Sequence, residues 1–108
     1  MKRADHLQGT LELLILKTLQ AGPNHGFGIT THIQTVSNGL LRVEEGSLYP
    51  ALQRLAIKGW VKAKWGVTAG NRRARYYRPT PLGRRQLEVE VSEFNRVVAA
   101  ITRAIQTA

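Results

Sequence analysis

Ser47, Tyr49, Gln53 and Arg54 fall within nine residues of one another, on the polar side of a short segment whose other side is leucine. Hydroxyl, amide and guanidinium groups hydrogen-bond phosphates or base edges, and Gln and Arg suit two-bond contacts with a base. A second basic group follows: Arg72, Arg73 and Arg75 can lie along a phosphate backbone or enter a minor groove, where a narrow groove concentrates negative potential. Thr31, Gln34 and His25 could touch phosphate from an earlier segment; His25 equally suits a bond to a local backbone carbonyl. Catalytic chemistry has no comparable set. There is no Gly-x-Ser-x-Gly elbow, no phosphate-binding Gly-Lys-Ser/Thr loop and no His-Glu-x-x-His. His6, His25 and His32 lack metal-ligand spacing, so no metal, cofactor or enzymatic activity is expected.

The charge agrees with a polyanionic partner. The 108 residues carry a formal charge of +9, which points to nucleic acid or an acidic membrane surface. From Gly46 to Arg85 there are basic residues and no Asp or Glu, whereas Glu88, Glu90 and Glu93 alternate with Arg96 and Arg103 further on. The basic span is interleaved with Trp60, Trp65, Tyr76 and Tyr77, which a disordered arm would not carry. The chain has no cysteine, hence no disulfide framework. Met1-Lys2-Arg3 looks like a leader's basic start, but the apolar run Leu13–Leu16 is too short to continue it. No stretch approaches a membrane span. A cytoplasmic protein with no membrane partner is expected.

The elements that must position these residues follow from periodicity. Residues 1–9 are polar and expected to be loosely ordered. Thr10 can cap a largely apolar central helix, with Glu12 in its first turn, that ends at Ala21-Gly22-Pro23-Asn24. A second helix fits Gly26 to Val36, with Ile29, Ile33 and Val36 on one face. Leu40-Leu41-Arg42-Val43 is β-friendly. Leu48, Leu52 and Leu55 form the stripe of a third helix, capped by Gly46 or Ser47, with Pro50 in its first turn and Gly59 at its end.

After Gly59, Trp60–Trp65 alternates with period two, a Gly-rich turn follows, and Arg72–Arg78 returns, closed by Pro79. Trp60 and Tyr77 are expected in the core; Tyr49 could instead pack under the hairpin; Lys62 and Lys64 share one strand face. Thr80 and Pro81 then open a long helix. Its apolar residues Leu87, Val91, Phe94, Val98, Ile101 and Ile105 step by four and three, an a/d seam widened by Val97 and Ala104. The seam could fold back on its own core, but it suits a second copy in a two-fold dimer. Phe94 and Trp65 are the aromatic candidates for an effector pocket, against simple packing. The fold class expected is α+β, mainly α: a winged helix-turn-helix domain over 1–79 and a dimerisation helix over 80–108.

Five blocks in order carry a resemblance. Gly9-Thr10-Leu11-x-x-Leu14-Ile15-Leu16, His25-Gly26-Phe27-Gly28-Ile29, Gly46-Ser47-Leu48-Tyr49-Pro50-Ala51-Leu52-x-Arg54-Leu55, Gly59-Trp60-Val61, and Arg72-Arg73-x-Arg75-Tyr76-Tyr77-Arg78-x-Thr80-x-x-Gly83 are similar to the PadR family of prokaryotic transcriptional regulators. The resemblance implies a winged helix, C-terminal helical dimerisation, and repression of a neighbouring promoter through a double-stranded DNA operator. It also implies relief by a small ligand such as a phenolic acid. It assigns DNA contact to Ser47, Tyr49 and Arg54; Gln53 is added from its chemistry. The sequence departs from the family pattern at Pro79, often Leu there, and at Val67-Thr68-Ala69, where acidic residues are common. Two other readings fit the charge: a winged-helix module for an acidic protein partner, and a non-specific DNA or RNA binder.

Overall fold

The computed structural model describes residues 3–107. The elements are α1 (Arg3–Gln20), α2 (Gly26–Val36), α3 (Glu45–Ile57), β1 (Val61–Val67), β2 (Arg73–Pro79) and α4 (Pro81–Thr107). The core forms where the helical stripes meet. Ile15, Leu16 and Leu19 of α1, Ile29 and Ile33 of α2, and Leu48, Leu52 and Leu55 of α3 are fully buried. Removing such stripes from water is the main favourable term of the fold. Val61 and Tyr77 close the core from the hairpin, and Leu87 closes it from α4. Because α1 packs on α2, α3, β2 and α4, it is the central element, as its apolar circumference requires.

Several local expectations are revised. The first helix begins at Arg3, not after Thr10: the residues before Gly9 contain no helix breaker, so the helix runs on through them. Met1 and Lys2 lie outside the described residues. Glu12 is therefore mid-helix rather than in a first turn, and it is buried. Val36 is exposed, since the core ends at Ile33. Residues 40–43 form no strand: they are an irregular link with no strand paired to them, and only Val43 packs against the core.

Helix α3 starts at Glu45, with Glu44 as its cap and no side-chain cap bond. The Glu44 carbonyl accepts the N–H groups of Ser47 and Leu48. Pro50 thus sits in the second turn, where the Gly46 carbonyl loses its usual partner. Gly46 is exposed, so solvent can bond it. The helix ends as expected. Gly59 has φ +77°, its N–H bonds Ala56 O, and the Trp60 N–H bonds Leu55 O, the paired bonds of a Schellman cap.

β1 and β2 pair antiparallel, from Val61 opposite Pro79 to Val67 opposite Arg73. Asn24 adds a short third edge, exchanging backbone bonds of 3.0 and 2.8 Å with Tyr77. Thr80 caps α4 as expected: its Oγ1 accepts the Gly83 N–H at 3.0 Å and donates to the Gly59 carbonyl at 2.6 Å. That bond ties the start of α4 to the end of α3. Gly83 is buried against the Trp60 carbonyl, an approach only a residue without Cβ permits.

Candidate nucleic-acid interface

The outer face of α3 follows from its leucine stripe. With Leu48, Leu52 and Leu55 inward, Ser47, Tyr49 and Gln53 are exposed. Tyr49 and Gln53 are four apart and so lie one above the other. The hairpin divides by the two-residue period of a strand. One face carries Val61, Ala63, Trp65 and Val67 opposite Pro79, Tyr77, Arg75 and Arg73. Lys62, Lys64, Tyr76 and Arg78 occupy the other. At the base, the first face is core. Toward the tip it opens to solvent, where Trp65 is 58% exposed and Arg73 stacks over its ring at 4.7 Å. Arg75 lies 5.7 Å from the Tyr77 ring. A guanidinium within about 6 Å of a ring centroid is attracted by the ring's negative face and keeps its charge.

Two concavities join these surfaces. A groove of about 560 Å³ is bordered by Tyr49 and Gln53 of α3 and by Arg75 and Tyr77 of β2. A larger cleft of about 930 Å³ lies between the start of α2, Tyr49 and the wing, with Trp65, Arg72, Arg73 and Arg75 on the wing side. The structure therefore sets Tyr49 and Arg75 at both concavities, Gln53 at the smaller and Arg72 and Arg73 at the larger. Arg72 stands at the tip, where Asn71 adopts φ +63° and the Thr68 N–H bonds the Arg72 carbonyl at 2.8 Å. Thr31 and Gln34 are exposed on α2 but border neither concavity. Tyr49 is 48% exposed; its hydroxyl lies over Gly26 at the start of α2, so it is only partly packed away.

Three residues have other occupations than expected. His25 does not serve a backbone carbonyl. It caps α2, its Nδ1 accepting the Gly28 N–H at 3.2 Å, because the first turn of a helix presents donors rather than acceptors. Its ring also meets Tyr76 edge-on at 5.2 Å. Arg54 is turned to the flank of α3, where its Nε donates to Glu12 Oε2 at 2.8 Å. Leu87, expected in the seam between copies, is 4% exposed and lies in its own core. The seam's period describes an apolar stripe without saying which partner covers each part, and α4 packs on α1.

Val91 is partly buried on the same core, while Phe94, Val98, Ile101 and Ile105 remain exposed. Trp65 borders the wing cleft and Phe94 does not, so the two aromatic residues do not share it.

Two contributors had only faint sequence marks. Glu12 is the lone acid in an apolar run, and Asn24 follows a proline at a helix end. Nothing local shows that their partners are 42 and 53 residues away. Among the described residues there is no group of three or more His, Cys, Asp or Glu placed to hold a metal ion. Nor is any helix among them long and apolar enough to cross a membrane.

Comparison with known proteins identifies the family and the fold. The model of the transcriptional regulator PadR-like family matches residues 15–89. An uncharacterized protein of Lysinibacillus sphaericus is 31% identical over 97 residues, covering 90% of this chain and 89% of that one. A transcriptional regulator from Clostridium thermocellum superposes with a TM-score of 0.81 at 27% identity, covering 95% of this chain and 97% of that chain. A PadR-like transcription factor from Bacteroides fragilis gives 0.73 at 29% identity, covering 92% and 96%. This chain belongs to the PadR-like family of transcriptional regulators, a family that acts by binding DNA and not by catalysis.

Proposed function

We propose that this protein is a repressor that binds a palindromic operator in double-stranded DNA as a homodimer, with α3 in the major groove and the β1–β2 wing along the adjoining backbone or minor groove. The observation that carries this reading is the groove shared by Tyr49, Gln53 and Arg75, which makes the helix face and the wing one surface. Under this reading Gln53 reads base edges. Under the same reading Ser47, Tyr49, Arg72, Arg73 and Arg75, with Thr31 and Gln34 at the flank, make the phosphate or minor-groove contacts. Residues 1–79 serve as the DNA-binding part and 80–108 as the dimerisation helix, which meets its copy through Phe94, Val98, Ile101 and Ile105, with Val91 at the edge. Its place of action under this reading is the cytoplasm.

Repression follows from occupancy, since a dimer seated over a promoter excludes polymerase. A small aromatic ligand would release it by one of two routes. At Phe94 it would act between copies; at Trp65 it would compete with DNA in the cleft itself. In vitro selection from a random duplex pool tests the reading. The expected product is an inverted repeat with half-site centres about 10–10.5 base pairs apart, or a small multiple. A pool that never converges on a sequence would contradict it.

A further inference from the structure

Glu12 stands outside the interface yet holds one of its arginines. The residue is 5% exposed in the middle of α1. Its Oε2 accepts the Arg54 Nε–H at 2.8 Å and its Oε1 accepts from Lys58 Nζ at 2.7 Å. A carboxylate out of water is heavily penalised, and an apolar side chain of similar size usually serves stability as well or better. What an ion pair adds is direction. Only Nε of the Arg54 guanidinium bonds Glu12. The side chain is 34% exposed, and among the described residues no side-chain nitrogen is both buried and unpartnered. The two terminal nitrogens of Arg54 therefore reach solvent. Because the guanidinium is planar, fixing Nε also fixes the plane in which those nitrogens point.

Lys58 completes the arrangement. One Arg and one Glu would cancel; a second cation on the other carboxylate oxygen leaves the cluster with a net positive charge beside the recognition helix. Lys58 is itself held over the Trp60 ring at 4.6 Å.

We propose that Glu12 is a positioning residue for DNA binding: from inside the core it clamps Arg54 by Nε and presents the two terminal nitrogens as a fixed fork to a backbone phosphate flanking α3. Arg54 then contacts phosphate rather than a base edge, and Lys58 balances the carboxylate. This rests on the DNA-binding reading above.

The test uses the full chain with two probes: the tightest duplex recovered by selection, and a scrambled duplex of the same composition. E12Q keeps the shape and raises the net charge by one. If Glu12 acted through charge alone, both duplexes would bind tighter. Positioning of a phosphate contact gives the opposite sign on both duplexes: about tenfold weaker binding or more, as for loss of an oriented charge-assisted bond, because a backbone contact carries no sequence information. R54K retains the charge but not the fork, and is expected to show the same loss on both duplexes. The double variant E12Q/R54K should be no weaker than R54K, since both changes disable the same fork. Circular dichroism at the assay temperature establishes that each variant is folded. The proposal is overturned if E12Q binds the selected duplex as tightly as the parent or more tightly, or if the selected duplex alone weakens. Should E12Q not fold, R54K decides: unchanged affinity for the selected duplex overturns it. A parent that selects no duplex overturns the DNA reading instead.

Discussion

Ile101→Asp should separate the chains of the proposed dimer without unfolding either. Phe94, Val98, Ile101 and Ile105 are 41%, 41%, 53% and 71% exposed on a single chain. Full burial of such a side chain is worth roughly 1.5–3 kcal/mol; scaled by these fractions, the four give about 4 kcal/mol per protomer and about 8 kcal/mol per pair. Losing independent motion costs about 4–15 kcal/mol, so the seam holds on a narrow margin. The substitution removes about 1 kcal/mol of burial from each chain. It also sets an ionised carboxylate in the seam, where the effective penalty is several kcal/mol. Together these raise the dissociation constant by at least about a hundredfold. Sedimentation equilibrium across a concentration series reads the change, and circular dichroism shows that the helices persist. A variant that dimerises with the parent's affinity would refute the assignment of this face.

Two substitutions in the same region should behave in the opposite way. Leu87→Ala opens a cavity in the core of each chain and should lower the unfolding free energy by about 2–5 kcal/mol, read by denaturant melts, while the folded protein keeps its oligomeric state. Gly83→Ala would drive a Cβ into the Trp60 carbonyl. The strain should cost about 1–3 kcal/mol and lower the melting temperature by several degrees; an unchanged melt would show that the α3–α4 junction is looser than the structure has it.

Much of this architecture is legible in the residues because local chemistry and global packing agree. The stripe Leu48, Leu52, Leu55 and the glycine after Lys58 define α3 to within two residues of its ends. The alternation on either side of the Gly-rich turn yields the hairpin, and Thr80-Pro81 marks the start of α4. The departures share a physical cause: they depend on partners distant in sequence. Leu40–Val43 has strand-forming residues but no strand to pair with. Leu87 fits the seam's period, yet it is buried in the core of its own chain. Arg54 lies on the same short helix as Gln53, but its Nε is bonded to Glu12 from another helix. The charge of the wing could be counted in the sequence; that Arg75 borders the same groove as Tyr49 and Gln53 depends on how the hairpin packs on α3.

The salt dependence of DNA binding is the most direct measure of whether α3 and the wing form one DNA-facing surface. Replacing Arg72, Arg73 and Arg75 together by alanine should flatten the slope of log affinity against log salt by about 2.7, about 0.9 for each phosphate that an arginine no longer neutralises. Selected and scrambled duplexes should weaken alike. Gln53→Ala should leave that slope in place and change which sequences are preferred. A triple variant with the parent's slope, or a Gln53 variant with the parent's sequence ranking, would contradict the account.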